Sequence, residues 1–116
     1  MVHDGCIFCR IALGEVPATI VHDGDGVVAF RDLSPQSPTH VLVIPRRHVE
    51  SAAALGAEDG DLLREMFAAA NEVARTEGIF ESGYRLVMNV GDDANNTVPH
   101  LHLHVLGGRK FGWPPG

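Results

Sequence analysis

"HLHLHVLGGR", residues 100–109, sets three of the chain's seven histidines at alternate positions. On a β-strand, side chains two apart share a face, so the spacing predicts His100, His102 and His104 on one surface and Leu101, Leu103 and Val105 on the other. One face is then dry and packs on a core, while the other carries imidazoles. A wet strand face needs only generic polar residues. Three successive imidazoles point to chemistry near neutral pH, where this side chain serves as acid, base, nucleophile or metal ligand.

Outward from this strand, "YRLVMNV" (84–90) reads as a neighbouring strand, separated from it by the polar loop "DDANN" (92–96). Glu58 to Glu77 is the one long helix. Leu62, Leu63, Met66, Phe67, Ala70, Val73 and Ala74 form its apolar stripe, read as core, with acids in the first turn and Gly78 past the end. "HVLVIP" (40–45) reads as a strand with His40, Leu42 and Ile44 on one face, after the proline-bearing loop "SPQSPT". "TIVHDGDGVVAFRDL" (19–33) reads as a hairpin turning at its Asp-Gly pairs, and "CIFCRIALGEVP" (6–17) as a short helix stopped by Gly14 and Pro17. The order is helix, three strands, helix, two strands. It predicts an α+β fold, an antiparallel sheet of about five strands with one face covered by the long helix and the other open for a ligand.

At 116 residues, with no repeat or linker composition, one domain spanning 1–116 is expected. A formal charge of −6 speaks against nucleic acid or anionic membrane as partners, since both are bound through clustered Lys and Arg. No run of about 18 apolar residues and no basic, apolar, cleavable leader is present, so a cytoplasmic location is expected. The two cysteines, Cys6 and Cys9, do not make a secreted disulfide framework. They read as a metal half-site, a redox pair or two small buried residues.

Two mechanisms fit imidazoles at i, i+2 and i+4. Two or three of them can hold a catalytic zinc that keeps a water position. Alternatively, one neutral imidazole attacks an electrophile while its neighbours orient it and carry protons. A phosphoryl or nucleotidyl group suits the second role, because a neutral nitrogen avoids the repulsion an anionic nucleophile meets there. These residue types leave both open.

The run "HLHLHVL" resembles the signature of the histidine triad (HIT) family. "FRDLSPQSPTHVLVIPRRH", "YRLVMNVG" and "GGRKFGWPPG" resemble its Hint branch, so that the likeness covers almost the whole chain in order. The resemblance implies a homodimeric hydrolase of purine nucleoside 5'-phosphoramidates. In such enzymes the middle histidine, here His102, attacks the α-phosphorus, and water cleaves the nucleotidyl-histidine. By the same resemblance His104 hydrogen-bonds a phosphate oxygen, His40 stands near the leaving atom, and Thr97 and Asn89 sit beside the phosphate. Asp32 matches an acid that accepts from both ribose hydroxyls, a bidentate task suited to a carboxylate. Phe8, Val16, Phe30 and Leu33 match the apolar pocket around the base. Trp113 matches a tail residue that reaches the partner subunit's site.

Many bacterial members carry a Cys-x-x-Cys whose thiolates join two histidines in a zinc site. The matching residues are Cys6, Cys9, His48 and His100, and two thiolates with two imidazoles make a closed, structural tetrahedron. No catalytic metal is then expected. The chain departs from the family pattern at Pro99, at Asn95 and Asn96 in the phosphate loop, and at Gly112, where animal members have histidine. Two rival readings remain: a dinucleoside polyphosphate hydrolase of the same family, against which the "GWPPG" ending argues, and a nucleotide-binding regulatory module, which has no need of an intact triad.

Overall fold

The computed structural model describes residues 5–116. A short helix α1 (Ile7–Ala12) precedes strands β1 (Ile20–Asp23), β2 (Val27–Arg31) and β3 (Thr39–Pro45). Two 3-10 turns then lead into the long helix α2 (Gly60–Thr76), followed by β4 (Tyr84–Val87) and β5 (Leu103–Gly107). The strands form one sheet in the order β1-β2-β3-β5-β4, and each neighbouring pair is antiparallel. This is the α+β arrangement that the element order predicts.

Local chemistry sets the ends of these elements. Cys6 caps α1, its sulfur accepting from the Cys9 N–H, and Gly14 follows the helix at φ +78°. Beyond α2, Gly78 takes φ +77° and the Ile79 N–H returns to the Ala74 carbonyl at 3.0 Å, a Schellman-type stop. The β1–β2 turn is tied to α2 by Glu65, which accepts the Gly26 N–H at 2.9 Å.

The period-2 pattern divides the core in two. Val27, Ala29, Val41, Val43, Leu103 and Val105 face α2 and pack on Met66, Ala69, Ala70, Val73 and Ala74. Val28, Phe30, Leu42 and Ile44 face the other way, onto Cys6, Phe8 and Cys9. At the usual ~25 cal/mol per Å² of apolar area removed from water, such two-sided burial is the main force holding the sheet between its helices.

Three sequence expectations are corrected. Phe67 is 40 % exposed, and Ala69 faces the sheet in its stead; the inner face is centred on Met66, Ala70 and Val73, whose small neighbours let helix and sheet approach. The second sheet face is not open throughout, because α1 covers it at the β2–β3 end and leaves a cleft rather than a plain. The third correction concerns the strands: β4 ends at Val87 rather than Val90, and the histidine strand begins only at Leu103. Pro99 has no N–H for a ladder, the His100 N–H turns back to the Val98 carbonyl, and the Leu101 N–H goes to the Val49 carbonyl at 2.6 Å. The alternation survives outside the ladder. Leu101 is in the α2-side core, while His100 and His102 lie on the other side, yet neither is wet: their exposures are 0 % and 8 %.

Candidate functional site

Three histidines converge where β3 and β5 pair. Leu42 is opposite His104 in the register and His40 is opposite Leu106, so His40 and His104 are diagonal neighbours on the face away from α2. His40 Nε2 lies 2.9 Å from His104 Nδ1, and the rings of His102 and His104 are 4.9 Å apart. Asp32, one residue past β2, brings Oδ2 to 3.5 Å from His40 Nε2.

The backbone fixes the protons. The Gln36 N–H donates to His40 Nδ1 at 3.0 Å, so the proton of neutral His40 resides on Nε2 and is donated to His104 Nδ1. His104 therefore carries its own proton on Nε2. That atom is buried and has no hydrogen-bond partner among the described residues. His102 has the opposite tautomer: its Nδ1–H donates to the His100 carbonyl at 2.7 Å, which leaves the Nε2 lone pair on the cavity that His102 lines. An imidazole lone pair and an N–H with no hydrogen-bond partner among the described residues thus stand side by side.

Burial favours the neutral forms of His40 and His104. It pushes the pKa of His104 down to about 4, aided by the nearby His102 and His40 and opposed by Asp32. Burial likewise lowers His40, again against the pull of Asp32.

A cavity of about 300 Å³ opens beside the pair, lined by Phe8, Phe30, Asp32, Leu33, Thr97, His102 and His104. Phe8 stands edge-on to both Phe30 and His102, with ring centroids 5.4 and 5.2 Å away. Of the remaining sequence candidates, Val16 is not on this lining, although its neighbours Pro17 and Ala18 are. Asn89 lies with His40 and His104 on a second cavity. Trp113 is 84 % exposed and lines neither. Ile7 and Ile11 line the first cavity unforeseen; their i, i+4 spacing on α1 was legible only as a helix face. The Gln36 amide has no side-chain signal at all.

Behind Phe8 lies a second cluster. Cys6, Cys9, His48 and His100 bring their ligand atoms within 4.8 Å of one another, close enough to hold a metal ion. The His100 Nε2–H donates to the Pro45 carbonyl at 2.9 Å, which turns the Nδ1 lone pair toward Cys6 and Cys9 sulfurs at 3.2 and 3.5 Å. His48 Nδ1 is 3.5 Å from Cys9 Sγ. Two soft sulfurs and two imidazole nitrogens, one of them fixed by a carbonyl behind it, are a donor set suited to zinc. Asp32, His40 and His104 also cluster, but the chemistry there differs. A metal on His40 Nε2 would force a proton onto Nδ1, against the Gln36 N–H that Nδ1 now accepts. The hydrogen bonds to the ring nitrogens thus leave the first cluster compatible with a metal and set the second as proton-bearing imidazoles.

The sequence profile of the HIT domain matches residues 13–111. The chain belongs to the HIT family. It is 44 % identical over 106 residues to the purine nucleoside phosphoramidase of Escherichia coli K12, spanning 91 % of this chain and 89 % of that one. Among solved structures, a HIT family hydrolase from Legionella pneumophila superposes with TM-score 0.94 at 46 % identity, over 97 % of this HIT chain and all of that one. A histidine triad protein from Clostridium difficile gives 0.93 at 38 % identity, over 97 % of each. No helix of this HIT protein, among the described residues, is long and apolar enough to cross a membrane.

Proposed function

We propose that this HIT protein is a nucleotide hydrolase that cleaves the P–N bond of purine nucleoside 5'-phosphoramidates through a nucleotidyl intermediate on His102. The observation that carries the reading is the pair of opposite tautomers: the His102 Nε2 lone pair beside the His104 Nε2–H, with His102 buried and the His104 Nε2 atom out of solvent. The 44 % identity to a relative named purine nucleoside phosphoramidase supports the choice of substrate.

In this reading the base lies among Phe8, Phe30 and Leu33, and Asp32 accepts from the ribose hydroxyls. His102 Nε2 attacks phosphorus, and its Nδ1–H, held by the His100 carbonyl, stabilises the positive charge that develops on the ring. The P–N electron pair returns to the nitrogen, which takes up a proton and leaves as an amine. Water then attacks the same phosphorus, His102 is released, and the proton lost by water balances the one taken up by the amine. The His104 Nε2–H, uncommitted within the protein, donates to the phosphate oxygens throughout, with Thr97 and Asn89 at the same phosphate. Cys6, Cys9, His48 and His100 would hold a zinc in a closed, structural role, and the His100 ring would then be fixed while its carbonyl holds the nucleophile's tautomer. The working unit is a homodimer in the cytoplasm, without nucleic acid or membrane as partners.

A substrate panel tests this. Release of AMP from adenosine 5'-phosphoramidate, faster than from diadenosine polyphosphates, is the expected result. Preference for the polyphosphates would make it a dinucleoside polyphosphate hydrolase, and tight AMP binding without turnover of either would make it a binding module.

A further inference from the structure

The second cavity, about 280 Å³, adjoins the reacting histidines on the side away from the nucleoside pocket, and His104 borders both. Arg85 and Arg109 line it, and no carboxylate is among its lining residues. Both guanidinium groups approach the Phe111 ring, with Cζ 5.0 and 4.2 Å from its centroid. Among the described residues both donate to backbone carbonyls: Arg85 to Gly112 O at 2.8 Å, and Arg109 to Gln36 O at 3.2 and 3.3 Å and to Lys110 O at 3.4 Å.

This is unusual within the chain. Arg10, Arg31, Arg46, Arg47, Arg64 and Arg75 are each paired with an aspartate or glutamate. In a protein of net charge −6, acids are plentiful. The two arginines that have no carboxylate among the described residues are the two that meet at one cavity beside the reaction centre. Two like charges held near one ring repel each other, a cost relieved when an anion enters between them. Guanidinium forks match a carboxylate geometrically, with two parallel N–H···O bonds.

We infer that this cavity is the leaving-group subsite and that it selects amines bearing a carboxylate, such as amino acids joined to the nucleotide through nitrogen. The inference rests on the phosphoramidase reading above, which supplies the nucleoside pocket and the attack at phosphorus. Arg85 and Arg109 are its specificity residues. The bond broken is the same P–N bond, and the leaving amine departs with its carboxylate intact.

The test compares kcat/KM for three adenosine 5'-phosphoramidates, whose leaving amines are β-alanine, its neutral amide and phosphoethanolamine, with unsubstituted adenosine phosphoramidate as reference. The wild type should favour β-alanine over the amide by roughly tenfold, the order expected of one charge-assisted pair in a partly wet site. That ratio should shrink with added salt and approach one in Arg85→Gln/Arg109→Gln, while Arg85→Lys/Arg109→Lys retains part of it. Because a ratio is read, a general loss of activity in a variant cancels. Equal rates for β-alanine and its amide, or a preference that survives the double glutamine variant, would overturn the inference. A stronger arginine-dependent preference for phosphoethanolamine would overturn the carboxylate assignment in favour of phosphate. Failure to cleave even the unsubstituted reference would strike the phosphoramidase reading itself.

Discussion

His40 gives its only ring proton to His104 across 2.9 Å, and it does so because the Gln36 N–H occupies its other nitrogen. A main-chain amide two steps away thereby decides that His104 presents a donor, rather than a lone pair, to whatever enters the site.

Histidine-selective nitrogen NMR should find His40 and His104 with protons on Nε2, and His102 with its proton on Nδ1. His104 should titrate near 4 and His40 below 6.5, both lowered chiefly by burial. The native state then binds fewer protons than the unfolded chain between those limits. Its stability from these groups is full above about pH 6.5 and is lost as pH falls toward 4. Denaturant midpoints measured across that window should fall, and less steeply in His104→Asn. A His104 that titrates at 6.5 or above would contradict the tautomer chain.

Replacing His102 with alanine removes the nitrogen proposed to attack phosphorus and only one edge of the cavity proposed for the nucleoside. Turnover of adenosine phosphoramidate should fall by at least about 10⁴-fold, while AMP binding by calorimetry stays within a few-fold of wild type. Mass spectrometry of acid-quenched wild type should show the nucleotidyl adduct on His102. Substantial turnover by His102→Ala would remove the nucleophile from the mechanism.

What the sequence made legible was whatever side-chain periodicity records. The α+β order follows from a 3.6-residue stripe set among segments of period two, and the face shared by His40, Leu42 and Ile44 and the apolar side of Leu101, Leu103 and Val105 follow from spacings of two. The parts that escaped depend on backbone groups. The His100 and Leu101 N–H groups turn to the Val98 and Val49 carbonyls instead of the ladder, the Gln36 amide and the Pro45 and His100 carbonyls set three tautomers, and none of these carries a side-chain signature. Phe67 misled for a related reason: a 3.6-residue stripe has fuzzy edges, and only packing against the sheet shows that Ala69 lies inside and Phe67 outside.

The purified protein should contain about one zinc per chain by elemental analysis. Cys6→Ser/Cys9→Ser should lose it, with a fall in melting temperature of at least about 10 °C. The rate should drop by about tenfold rather than vanish, because His100 gives its ring to the metal cluster and its carbonyl to His102. A metal-free wild type that melts no lower than the metal-loaded one would refute the structural site.

Trp113 is the chain's only tryptophan and is 84 % exposed, three residues from the last glycine. A large ring left in water forfeits its hydrophobic advantage, so a covering surface is expected. The edge strand β4 also lacks an outer neighbour in the sheet, and pairing it with a second copy removes an exposed edge. A homodimer meets both needs, with the tail of one subunit turned toward the site of the other. Light scattering should therefore give twice the mass of the 12.5 kDa chain. Deleting residues 111–116 removes Trp113 together with Phe111 and the Gly112 carbonyl, which steady Arg85. The truncated protein should remain dimeric through sheet and helix contacts and bind AMP within a few-fold of the full chain, while its ranking of leaving amines changes. A monomeric full-length protein would end the dimer reading. An unchanged ranking in the truncated dimer would confine the tail to a structural role.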